Sequence, residues 1–165
     1  MRQLARDSQQ YVEFAFCPSG LLISVMRRFV SDFYAETIGD PDLISRLAMV
    51  THELLENAAK YSLDGEARLR IEWTRERGGS MTILVRNRAS TDQVRTVRET
   101  IDRMRTGKRD TLYATFIEES VTRPLGSMLG LPRIWAEGEM DLSCDVEGDT
   151  MTIRAECDCG TALST

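Results

Sequence analysis

The sequence predicts an α+β fold: a two-layer α/β sandwich in which one mixed, mostly antiparallel sheet carries helices on one face. Three observations lead there. Segments with a two-residue apolar period come in pairs joined by glycine-bearing turns, the signature of hairpins. Segments with a three-and-four period fall between those pairs, so helices must cover the sheet they interrupt. The chain has 165 residues, 42% of them hydrophobic, enough to bury one core without staples, and residues 1–165 read as a single domain with no linker or repeat.

The elements follow in order. "QYVEFAF", Gln10 to Phe16, sets Val12, Phe14 and Phe16 against Tyr11, Glu13 and Ala15 and reads as a strand, broken by Pro18-Ser19-Gly20. From Leu21 to about Ile38, Leu22, Val25, Met26, Phe29, Val30 and Phe33 share one side of an amphipathic helix. Gly39 ends it. Asp40-Pro41 opens the next, an N-cap followed by proline at the first helical position, and Leu43, Leu47, Val50, Leu54 and Ala58 stripe it as far as Tyr61.

After Asp64-Gly65 the period falls to two. "ARLRIEW" turns Leu69, Ile71 and Trp73 inward and Arg68, Arg70 and Glu72 outward, Gly78-Gly79 turns the chain, and "MTILVRN" returns. Thr91 to about Met104 is expected to be helical through Val94, Val97, Ile101 and Met104, and a shorter helix is expected over Leu112 to Glu119. Pro124, Gly126 and Gly130 mark a loop, and "LPRIWAE" makes one or two helical turns. A final hairpin alternates Met140, Leu142, Cys144 and Val146, turns at Glu147-Gly148-Asp149, and answers with Met151, Ile153, Ala155 and Cys157.

Charge and composition narrow the function. With 26 acidic against 21 basic residues, the net charge of −5 gives no reason to expect nucleic acid or an anionic membrane as partner. The first ten residues hold no apolar leader core, and no apolar run approaches the ~20 residues of a spanning helix. Cys17, Cys144, Cys157 and Cys159 lack the paired spacing of a zinc site, which favours reduced, packing thiols and a cytoplasmic setting.

The second helix carries the chemistry. In "THELLENAAKYS" Glu53 and Asn57 are four apart and Lys60 follows three later, so a carboxylate, a carboxamide and an ammonium project from one side. Such a row can take a proton, ligate Mg²⁺ and neutralise phosphate. The same pattern also suits a solvated face on which Glu56 and Lys60 pair. His52, the only histidine, sits one residue off that face, a core-edge or surface position rather than that of a phosphoacceptor.

"ELLENAAKYS" resembles the N-box of the GHKL, or Bergerat-fold, ATPases, which include gyrases, histidine kinases and small anti-sigma-factor serine kinases, and the lead-in helices look most like the last group. The resemblance spans roughly residues 48–157. It implies Glu53 as general base, Asn57 as Mg²⁺ ligand, and Lys60 as a phosphate or lid contact. Asn87 stands where that family has an adenine-binding aspartate, and the glycines of the first glycine box are missing. "PLGSMLGLPRIWAE", with Gly126, Gly130 and Leu131, is similar to the family's second glycine box, whose amides cradle phosphate, although Gly126 and Gly130 also suit plain turns.

Residues 89–123 would be the lid, with Arg95, Arg98, Arg103, Arg105, Lys108 and Arg109; interleaved Glu99 and Asp102 equally suit a solvated helix face. The expectation is a bacterial-type signalling regulator that binds ATP and Mg²⁺ and a regulatory protein partner, such as a sigma factor or anti-anti-sigma-like protein. It would act as an anti-sigma-type serine/threonine kinase, with homodimerisation common in the family. The altered first glycine box supports an alternative: a degenerate, non-catalytic interaction module of the same fold that no longer binds ATP.

Overall fold

A computed structural model describes residues 10–74, 79–121 and 129–160. Strand β1 is Gln10–Phe16, followed by helices α1 (Gly20–Thr37) and α2 (Pro41–Tyr61), and strands β2 (Ala67–Thr74) and β3 (Ser80–Arg88). Helices α3 (Thr91–Thr106), α4 (Arg109–Val121) and α5 (Gly130–Ala136) precede strands β4 (Asp141–Glu147) and β5 (Thr150–Asp158). The five strands form one sheet in the order β1-β2-β3-β5-β4, and all four pairings are antiparallel. The helices pack on a single face, so the architecture is the two-layer α/β sandwich the hairpins predict.

Register explains the layering. Val12 lies opposite Ile71, Ile71 opposite Ile83, and Ile83 opposite Ala155, which puts one apolar row across four strands on the helix side. The opposite face carries the charged alternates, among them Arg68 directly across from Arg86. The fully buried Ile71 and Ile83 side chains contribute roughly 1.5–3 kcal/mol each, against about 1–2 kcal/mol for ordering the backbone at each position.

Helix α2 lies at the centre of the helical layer. The Asp40 carboxylate accepts from the Asp42 and Leu43 amides at its start, and the stripe of Leu43, Leu47, Val50, Leu54 and Ala58 is buried as its spacing predicts. Helix α1 differs from expectation in phase. Ile23, Met26, Val30 and Tyr34 are buried, whereas Val25 and Phe29 are 55% and 42% exposed. Tyr34 sets that phase: it is fully buried, and its hydroxyl pairs with Thr51 Oγ1 at 3.0 Å. Burial of a tyrosine with a satisfied hydroxyl outweighs two partly exposed apolar side chains.

The other departures are smaller. Helix α4 starts three residues before Leu112 and continues past Glu119. Trp73, expected inward, is half-buried. The Cys159 thiol, just past the end of β5, donates to the Cys157 carbonyl at 4.0 Å. Gly79, with φ of 87°, stands in the left-handed region before β3, while its predicted turn neighbour Gly78 lies outside the described residues. Among the described residues no helix is long and apolar enough to cross a membrane.

Candidate functional site

Asn57 stands between two spaces. Toward the sheet lies a cavity of about 280 Å³, walled mainly by Leu54, Ala58, Val85, Leu131, Met151 and Ile153, with Asn57 and Asn87 among its polar edges. Toward solvent lies a cleft of about 690 Å³ bounded by Glu53, Asn57, Lys60, Tyr113, Gly130 and Arg133. Six of the seven residues singled out from the sequence therefore line two adjoining spaces. The seventh, Gly126, lies outside the described residues.

Each position follows from its element. Helical spacing on α2 points Glu53, Asn57 and Lys60 toward the cleft, with Leu54 and Ala58 one step round facing the core. Asn87, at the end of β3, alternates inward with Met81, Ile83 and Val85 and is only 6% exposed. Its Nδ2 donates to the Arg88 carbonyl at 2.9 Å, and the residue edges the cavity. The chain then turns at once: the Ala89 amide donates to the Asp149 carbonyl, and Ser90 and Gln93 form a capping box that starts α3. No glycine is needed for that turn.

Helix α5 closes the site from above. It is seven residues long and is anchored by buried Leu131, Ile134 and Trp135. A Cβ at Gly130 would lie 2.9 Å from Asn57 Nδ2 and 3.2 Å from both Asn57 Oδ1 and Glu53 Oε2. With no Cβ at Gly130, the α5 backbone approaches the ends of both side chains closely.

Glu53 is paired in a way the sequence did not foretell. Arg133 Nη1 donates to Glu53 Oε1 at 2.7 Å, and Arg133 Nε donates to Glu137 at 2.8 Å. The Tyr113 hydroxyl donates to the other oxygen of Glu137 at 2.6 Å, which completes a relay from α4 through α5 to α2. The Arg133 hydrogen bond, and then that of Tyr113, hold the Glu137 carboxyl below the usual carboxylate range. Burial, and then Glu137, push Tyr113 up to about 12. The i, i+4 pair of Arg133 and Glu137 is legible in "LPRIWAE"; its contact with Glu53, 80 residues away, is not.

The remaining candidates resolve as follows. Glu56 pairs with His52 Nε2 at 3.1 Å rather than with Lys60, whose ammonium instead lies 5.1 Å from the Tyr61 ring centroid. The lid arginines are largely engaged: Arg95 with Asp92, Arg103 with Glu119, Arg105 with Asp102, and Arg109 over Trp135. Asp92 and Gln93, which also edge the inner cavity, escaped the sequence reading because their signal is that of a helix cap.

The residues fit a magnesium nucleotide. Apolar walls suit a planar base, and a carboxamide such as that of Asn87 at their edge can accept from its amino group. Among the described residues no group of three or more His, Cys, Asp or Glu side chains could hold a metal. A cation beside Asn57 and Glu53 would thus draw on phosphate oxygens and water, as Mg²⁺ does.

The sequence matches no protein-family model. A search of curated proteins likewise gives no match. Among solved structures, a chain in the crystal structure of the SiaB-SiaC complex from Pseudomonas aeruginosa is similar with a TM-score of 0.70 and 18% sequence identity, over 88% of this chain and 89% of that one. At this identity the likeness is one of fold.

Proposed function

We propose that this chain is a GHKL-type signalling regulator, one domain over its length, that binds Mg-ATP between α2, α5 and the sheet and acts on a protein partner as a serine/threonine kinase. One observation carries the reading: Asn57 joins an apolar cavity of base-like character to a polar cleft containing Glu53, Lys60 and Gly130. The base would lie between Leu54, Val85 and Ile153 beside Asn87, and the phosphates would lie along Asn57 and Lys60. Mg²⁺ bound there supplies charge neutralisation for phosphoryl transfer. Glu53 would receive the proton of a partner hydroxyl, and the protein otherwise positions and neutralises. The similar solved structure is that of a protein complex, which supports a protein as the partner.

A second reading rests on the Arg133–Glu53 pair at 2.7 Å. With one carboxylate oxygen so occupied, the chain would serve as a non-catalytic interaction module on the same fold. Calorimetric titration with ATP and ADP, with and without Mg²⁺, on the wild type and Asn57→Ala decides between the two. Micromolar, metal-dependent binding lost in the variant is the expected result. No binding at millimolar ATP would leave only the module, and unchanged affinity in the variant would reject the metal role of Asn57.

A further inference from the structure

We propose that Arg133 is an exchangeable counter-ion: it covers Glu53 while the cleft is empty and passes to the terminal phosphate when a nucleoside triphosphate enters, with Glu137 and Tyr113 as the residues that position it. The proposal rests on the nucleotide reading above and assigns the regulation of that same site.

Glu53 is the group that needs a counter-ion. Its side chain is only 15% exposed, and a carboxylate so enclosed must be paired to stay charged at low cost. Arg133 meets that need from the cleft wall, where its own side chain is 45% exposed and shares the space with Asn57 and Lys60. A guanidinium carries five N–H donors. Among the described residues two of them are used, Nε toward Glu137 and Nη1 toward Glu53.

The two carboxylate bonds are unequal. Glu137 is one turn along the same helix and is braced by the Tyr113 hydroxyl at 2.6 Å, so its grip on Nε is local and supported. Glu53 reaches over from α2 and holds a single Nη1. A terminal phosphate offers several oxygens to a fork of donors, a match that one carboxylate oxygen cannot equal. The Glu53 bond is therefore the one that exchanges, while Glu137 keeps the guanidinium aimed into the cleft.

Exchange gives the site a logic of its own. With the cleft empty, Glu53 Oε1 is blocked; with a triphosphate bound, it is released to accept a proton. A diphosphate lacks the group that draws Arg133 away, so the proton acceptor is freed only when there is a phosphate to transfer.

The test is a calorimetric comparison of Mg-ATP and Mg-ADP affinity for the wild type, Arg133→Ala, Arg133→Lys and Glu137→Gln, each first checked for cooperative thermal unfolding. Arg133→Ala is expected to lose about tenfold or more in ATP affinity with little change for ADP. Arg133→Lys should restore only part of that preference, and Glu137→Gln should narrow the ATP-to-ADP ratio. Wild-type binding of neither nucleotide would overturn the nucleotide reading and this proposal with it. Binding of both, with the ratio unchanged in the Arg133 variants, would overturn the exchange and leave the nucleotide reading standing. An unchanged ratio in Glu137→Gln alone would remove Glu137 from its positioning role. If Arg133→Ala fails to unfold cooperatively, Arg133→Lys and Glu137→Gln decide the matter.

Discussion

Gly130 and Asn57 lie so close that a Cβ placed on the glycine would come within 2.9 Å of the asparagine Nδ2. The atoms in its way are the far ends of two side chains, Asn57 and Glu53, which can shift by a few tenths of an ångström. Gly130→Ala is therefore expected to change stability by less than about 1 kcal/mol. It should nonetheless weaken Mg-ATP by about fivefold to tenfold through misplacement of both oxygens. Urea unfolding alongside calorimetry checks both statements, and wild-type affinity in the variant would show that the contact is incidental.

Gly138 makes the opposite case. A Cβ there would meet the Ile134 carbonyl oxygen at 2.4 Å and Val50 Cγ2 at 2.5 Å, a backbone atom and a core side chain with no room to give. Gly138→Ala should cost about 1–3 kcal/mol through overpacking where α5 ends against α2. The measurement is the shift in urea midpoint, and a neutral substitution would mean that this end of α5 can move.

For Glu53→Gln the expectation is retained nucleotide affinity with phosphoryl transfer lowered about 10²–10⁴-fold, the usual contribution of a positioned base. Turnover of labelled ATP, set beside calorimetry, separates the two effects. Full turnover in the variant would reject Glu53 as the proton acceptor.

Stability should depend on pH through Glu137. Its carboxyl is held below the ordinary value of 4.5, chiefly by Arg133 and then by Tyr113. A depressed carboxyl in the folded state stabilises above the unfolded value and ceases to do so as pH falls through the folded one. The wild type should accordingly lose stability more steeply than Glu137→Gln as pH falls from the unfolded value of 4.5 through the lower folded one. Because the side chain is 45% exposed, solvent screening makes the difference modest. Parallel acid limbs in unfolding curves of the two proteins would contradict the coupling.

By itself the sequence determined the order of elements, the hairpins, the register-defining alternation and the row of Glu53, Asn57 and Lys60 on α2. All of these are local: period, caps and turn residues act over a few positions, and α2 declares its stripe from Leu43 to Ala58 within one element. The tertiary structure decided what those residues face. The phase of α1 was set by the Tyr34–Thr51 hydrogen bond between two helices, which overrode a wider apolar stripe. The closeness of Gly130 to Asn57 and the hold of Arg133 on Glu53 join residues 73 and 80 positions apart. Such contacts depend on how α5 docks against α2, and docking is fixed by the buried side chains of Leu131, Ile134 and Trp135 meeting the rest of the core, a many-body packing outcome that no local pattern encodes.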